Sequence, residues 1–214
     1  MSSKLKKQKY ISALVILLIF TSFHGIAQID EDVLRLEFSV GGNHALSSGF
    51  SEGYSGKGFN IPSVNLGAQY LFTEKLGAKL DLGFNRIKGE DDSFKINYTR
   101  VNIQGVYNYS KLVGIKDKSD FKLLAHAGPG YTFVRPLGGL KNVDQNYFNA
   151  IIGTNAVYAL NRNTSLLFDV SYVHGFTEPD VYTPFTDGLG AFNGSIVTFT
   201  VGISLSLSGC YYCN

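Results

Sequence analysis

Apolar and polar residues alternate along most of the chain from Val33 onward, and a period of two puts successive side chains on opposite faces of an extended strand. In the stretch 33–41, Leu34, Leu36, Phe38 and Val40 share one face, while Arg35, Glu37, Ser39 and Gly41 share the other. The stretch 63–72 sets Val64, Leu66, Ala68, Tyr70 and Phe72 against Asn65, Gly67 and Gln69, and Leu71 breaks its polar side. Thr73-Glu74-Lys75 is long enough only for a tight turn, so 76–86 folds back as the second arm of a hairpin. Its apolar face is Leu76, Ala78, Leu80, Leu82 and Phe84, and its other face is Gly77, Lys79, Asp81, Gly83 and Asn85. The same pattern predicts strands over 97–109, 121–134, 148–160, 164–176 and 195–208, with Asn161-Arg162-Asn163 as a second tight turn. Leu167 and Val173 interrupt the polar side of the seventh strand, and Pro129 interrupts the fifth.

Eight strands with connections that alternate in length describe an all-β, antiparallel up-and-down barrel. The segments 43–62, 87–96, 135–147 and 177–194 are the longer connections and are polar or glycine-rich. A lipocalin-like soluble barrel would keep its apolar face inward. It would then have to face water with Ser39, Gly41, Asn65, Gly67, Gly77, Gly83, Ser204 and Ser206, a set of small residues better suited to a narrow interior. The inverse arrangement turns the large apolar set toward lipid. Aromatic residues at both strand ends fit that orientation, with Phe72, Tyr107, Tyr109, Phe121 and Tyr158 at the short-turn end. Phe84, Tyr131, Phe133, Phe148 and Tyr172 stand toward the long-loop end, as two interfacial girdles require. The expectation is a transmembrane barrel spanning residues 28–208, followed by a tail at 209–214.

The first 27 residues read differently. Lys4, Lys6, Lys7 and Lys9 precede an apolar run from Ile11 to Phe20, and Gly25-Ile26-Ala27 offers small residues for cleavage after Ala27, which is the anatomy of a secretory signal peptide. No Cys follows that run to accept a lipid. Cleavage would remove four lysines and no acid, turning the formal charge of +2 into about −2. That balance gives no reason to expect a nucleic-acid partner. Aromatics at 14% and charged residues at 17% exclude a disordered chain. Both cysteines, Cys210 and Cys213, lie in the tail, so no disulfide framework holds the body of the domain.

The leader, the eight alternating strands and segments such as Leu123-Leu124-Ala125-His126-Ala127-Gly128-Pro129-Gly130-Tyr131 and Leu160-Asn161-Arg162-Asn163-Thr164-Ser165-Leu166 resemble the N-terminal barrel of the outer membrane protein A family, in its Bacteroidetes-type form. The resemblance covers essentially the whole mature chain. It implies an outer membrane location with both mature ends in the periplasm, outer membrane lipids as surroundings, and passage through the barrel assembly machinery. Two departures from the family pattern stand out. A peptidoglycan-binding domain like that of many members is not expected after the eighth strand, and the last strand is expected to end near Leu207, without the terminal aromatic that the assembly machinery reads.

On the inward face, Arg35, Glu37, Lys79, Asp81, Arg100, Gln104, Lys122, His126 and Asp169 form a candidate polar network of mixed sign, expected to plug the lumen because buried charges must pair. The rival reading is a narrow pore for small solutes. Pairings of His174 with Ser171 or His44 with Ser47 would be needed for a lipid-modifying enzyme, but common residues near each other in sequence are weak grounds for one, and no catalytic site is expected. Cys210 and Cys213 lack a second ligand pair for zinc, and a local disulfide is the plainer reading. No cofactor or metal is expected. Phe50, Tyr54, Phe59, Tyr182 and Phe185 in the long connections are candidates for contact with an unidentified extracellular partner. Together these features predict a membrane-spanning scaffold and surface interaction protein, not an enzyme.

Overall fold

A computed structural model describes residues 34–47, 50, 55–90, 94–116, 119–137, 144–161, 163–176 and 194–207. The signal peptide, the cysteine tail and the candidates Tyr54, Tyr182 and Phe185 lie outside them. Within the described chain, eight strands close into one barrel in sequence order: β1 (Leu34–Ala45), β2 (Asn60–Leu71), β3 (Leu76–Lys88), β4 (Lys95–Asn108), β5 (Phe121–Leu137), β6 (Gln145–Ala159), β7 (Thr164–Phe176) and β8 (Ile196–Ser206). Every neighbouring pair is antiparallel, and β8 returns to pair with β1. Strands of 11 to 17 residues exceed the nine to eleven or so that a tilted strand needs to cross hydrocarbon.

Several strands run beyond the bounds that alternation suggests. β1 continues to Ala45, β2 begins at Asn60 and β6 begins at Gln145. In these extensions the backbone ladder persists through Asn43, His44, Asn60 and Gln145, whose polar side chains carry no hydrophobic period to announce it. The β4–β5 connection holds a one-turn 3-10 helix, Ser110–Val113, closed by Gly114 in the left-handed region at φ 81°. A glycine suits that conformation because it has no Cβ to clash there.

The faces divide as a lipid-embedded barrel demands. Leu36, Phe38, Leu66, Leu80, Ile103 and Ile152 are exposed on the outside, Ile103 to 66%, whereas Glu37, Asn65, Asp81, Arg100, Asn102 and Asp169 are buried inside. Around the turn end stand Tyr70 and Phe72 in edge contact, with Phe121 opposite Tyr158. Around the loop end Tyr131 meets both Phe133 and Phe148 edge-on, at 5.3 and 5.2 Å between ring centroids. Such edge-to-face pairs are the favoured aromatic geometry.

Inside, the barrel is layered. At the loop end Ala45, Ile87, Phe94, Ile96, Tyr98, Val134, Tyr147, Ile151, Val173 and Ile196 form an apolar plug, and the β1–β2 connection drops Phe50 onto it, 5.6 Å from Phe94. At the turn end Val106, Leu124, Val157 and Leu167 form a second, smaller plug. The apolar residues that break the polar faces of the sequence pattern, Leu71, Leu167 and Val173, are therefore buried in the interior and do not mark a change of strand register.

Candidate functional site

Between the two plugs lies a band of charge. Lys79 Nζ stands 2.6 Å from Glu37 Oε2 and 4.0 Å from Asp81 Oδ1, and the Arg100 guanidinium donates to Asp81 through Nη1 and to Asn65 Oδ1 through Nη2 at 3.0 Å. On the facing wall His126 Nε2 lies 3.0 Å from Asp169 Oδ2, and Ser171 Oγ donates to Asp169 Oδ1 at 2.6 Å. Three carboxylates thus face two permanent cations, and His126 supplies the third positive charge when protonated. Pairing in this way offsets part of the cost of taking these charges out of water.

Glycines make these contacts reachable. Gly67 leaves room for Glu37 and Lys79, since a Cβ there would stand 2.8 Å from Lys79 Cε and 3.2 Å from Glu37 Oε2, while Gly83 separates Asn65 from Arg100, Gly130 separates Asn102 from Asn149, and Gly153 separates His126 from Ser171. At each gap the missing side chain lets residues two strands apart meet. Asn102 accordingly donates to Asn149 across Gly130, and the Arg100 guanidinium lies over Gly83, where a Cβ would come within 2.5 Å of its Cζ. A Cβ on Gly153 would stand 2.6 Å from His126 Nε2, Ser171 Oγ and the Val170 carbonyl oxygen. The Gly153→Ala substitution is therefore expected to lose about 1–3 kcal/mol, read as a lower urea midpoint for unfolding from lipid vesicles.

The remaining space is small. The cavity bounded by Glu37, Lys79, Asp81, Arg100, His126 and Asp169 measures about 10 Å³ for a water centre, close to the minimum that holds one water. Of the other candidates on this face, Gln104 is fully buried and with Gln69 flanks Lys79 on the neighbouring strands. Arg35 and Lys122 lie at the turn end on the same inward register but are only half-buried, outside the charged band. Sequence reasoning did not single out Asn65, Asn102, Asn149 and Ser171 for the band; their inward parity was visible, but their partners depend on register between strands.

Among the described residues, neither His174 with Ser171 nor His44 with Ser47 forms a hydrogen bond. Ser171 points inward while His174, on the same strand, is exposed. His174 Nδ1 instead meets Ser195 Oγ at 2.9 Å, with the Tyr172 hydroxyl donating to the same oxygen at 3.0 Å. Ser195 is buried, and among the described residues no carboxylate hydrogen-bonds to His174. His44 contacts the Gly58 carbonyl oxygen at 2.6 Å and anchors its own connection. Within the lumen, His126 presents one nitrogen, Nε2, to both Asp169 and Ser171. A base that activates Ser needs its acid partner on the opposite ring nitrogen. Of the aromatic loop candidates within the described chain, Phe50 is committed to the plug and Phe59 is exposed with its ring over Gly42.

The sequence matches no protein-family model and no curated protein. Solved structures do match the barrel. Neisserial surface protein A superposes with a TM-score of 0.56 at 14% identity, over 81% of this chain and 96% of that one. The fold is that of an outer membrane barrel. A major outer membrane protein of Thermus thermophilus matches at 0.51 and 15% identity, over 81% of this chain and 98% of that one. The N-terminal β-barrel domain of Pseudomonas aeruginosa OprF matches at 0.50 and 13% identity, over 80% and 96%.

Proposed function

We propose that the protein is a structural and surface-display barrel of the outer membrane protein A type, set in the outer membrane of a Gram-negative bacterium, with its ends and tight turns in the periplasm and its long connections outside. The observation that carries this reading is the pairing of an apolar exterior with a charged interior closed by apolar plugs at both ends. The exterior anchors the chain in lipid. The interior preserves the barrier, because the cavity among its charged residues has room for about one water molecule. The long connections then offer surface to an extracellular partner, with Phe59 the most exposed aromatic among the described candidates.

Three measurements test this. Unboiled protein in detergent is expected to migrate as a compact band that shifts on boiling, and to fractionate with the outer membrane. A soluble periplasmic protein without that shift would overturn the reading. In planar bilayers the folded protein is expected to leave conductance at background, and discrete single-channel steps would replace the scaffold by the narrow pore. The membrane lipid profile is expected to stay the same with and without the gene, and a deacylated or otherwise modified lipid would make the enzyme the leading reading.

A further inference from the structure

The turn end of the barrel carries a basic pocket that the scaffold reading does not use. Lys75 from the β2–β3 turn, Lys111 and Lys116 from the β4–β5 connection and Lys122 at the start of β5 line an open cavity of about 100 Å³, with Glu74 as the single acid among its described lining residues. The described lining residues thus carry +3, on a chain expected to carry about −2 once its leader is removed. Lys111 Nζ lies 4.0 Å from Glu74 Oε2, and both side chains are largely exposed. The small apolar plug lies between this pocket and the charged lumen, so its lysines do not belong to the interior pairing.

Local structure holds the pocket open. Asn108 Nδ2 donates to the Glu74 carbonyl oxygen at 3.3 Å, tying the β2–β3 turn to the end of β4. The Leu123 amide donates to Ser110 Oγ at 2.8 Å, tying the 3-10 turn to β5. That turn presents two apolar side chains to the outside, Leu112 at 74% and Val113 at 55% exposure, directly beside Lys111. Leu76, Tyr107 and Phe121, exposed on the neighbouring strand ends, continue the apolar band up to the same edge. Basic side chains immediately beyond an apolar surface are complementary to an anionic headgroup above its acyl chains.

We propose that this pocket binds the phosphodiester headgroup of an anionic phospholipid, with Leu112 and Val113 inserted among the acyl chains beside it. The inference rests on the membrane-spanning reading; in a membrane oriented as proposed, the lipid belongs to the periplasmic leaflet. The full-length protein, folded in a neutral maltoside detergent, is to be offered equal amounts of phosphatidylglycerol and phosphatidylcholine, and the lipid that copurifies is then quantified by mass spectrometry. Phosphatidylglycerol is expected to be retained in preference, with the preference falling as salt rises. Each lysine near a membrane surface contributes about a factor of five, so the Lys111→Gln/Lys116→Gln variant is expected to lose about ten-fold or more of that preference. The Leu112→Ser/Val113→Ser variant should lose retained lipid while leaving the weak binding of inorganic phosphate, measured calorimetrically, unchanged.

Equal retention of the two lipids, or a preference untouched by the lysine substitutions, would overturn the proposal. Inorganic phosphate binding as tightly as the lipid would also overturn it, in favour of a soluble anion. The salt dependence of the unsubstituted protein tests the proposal even if a variant fails to give the compact unboiled band. Protein that shows no such band and takes up no lipid would defeat the membrane reading itself, whereas uptake without anionic preference defeats only this inference.

Discussion

Arg100→Leu is expected to lower the stability of the folded barrel by about 3–5 kcal/mol, measured as the urea dependence of the compact unboiled band in vesicles. Arg100 is 1% exposed and serves Asp81 and Asn65 at once. Its removal leaves the Asp81 carboxylate with Lys79 at 4.0 Å as its nearest cation, and takes a donor from Asn65. A buried charge that loses its partner pays the desolvation cost without the compensating attraction. Removing Asp81 as well, in Arg100→Leu/Asp81→Leu, leaves Glu37 with Lys79 and Asp169 with His126, so most of the loss should be recovered. A single variant as stable as the parent would mean that the charged band is hydrated and does not plug the barrel.

The second large effect is expected at the seam where β1 meets β8. A Cβ on Gly202 would lie 1.9 Å from the Phe38 carbonyl oxygen and 2.5 Å from Ser39 Cα, and a Cβ on Gly41 would lie 1.9 Å from the Phe199 carbonyl oxygen. These neighbours are backbone of the partner strand, so a side chain can be accommodated only by widening the seam. Gly202→Val should therefore cost about 3 kcal/mol or more and abolish the compact unboiled band. Gly105→Ala is the control, because its Cβ would face outward and meet nothing nearer than 3.9 Å. It should change stability by less than about 0.5 kcal/mol. Equal behaviour of the two variants would show that the seam is not closed in the way described.

The strands and their facing were legible because alternation is a one-dimensional signal: Leu36 and Phe38 against Glu37 and Ser39 already separate two sides. The ends of strands were not, since Asn43 and Asn60 extend the ladder without an apolar period, and their side-chain bonds to Ser63 and to the Lys88 amide depend on how the strands come together. Leu167 and Val173 looked like faults in a polar face, and only a third dimension shows them stacked with Val106 and Leu124, or with Ile87 and Ile196. The same holds for the candidate charges. Their common parity was readable, but which of them meet depends on strand register and on glycine gaps. That is why Lys79 and Glu37 come together while Arg35 and Lys122 stand apart at the turn end. Phe50, in a connection without periodicity, gave no sign that its ring would be committed to the interior.

Closure of the seam has a consequence for how the chain acquires this shape. Seven of the eight strand pairings join segments adjacent in sequence and can zip as hairpins, but β1 and β8 must find each other from opposite ends of the domain. Ser39 donates to Thr200 across a separation of 161 residues, a contact whose entropy cost is met before any reward. The seam is therefore the natural last step of folding, and an open eight-stranded sheet with two unpaired edges is the natural intermediate before it. Substitutions at Gly41 and Gly202 should accordingly slow the final phase while leaving the earlier hairpins free to form.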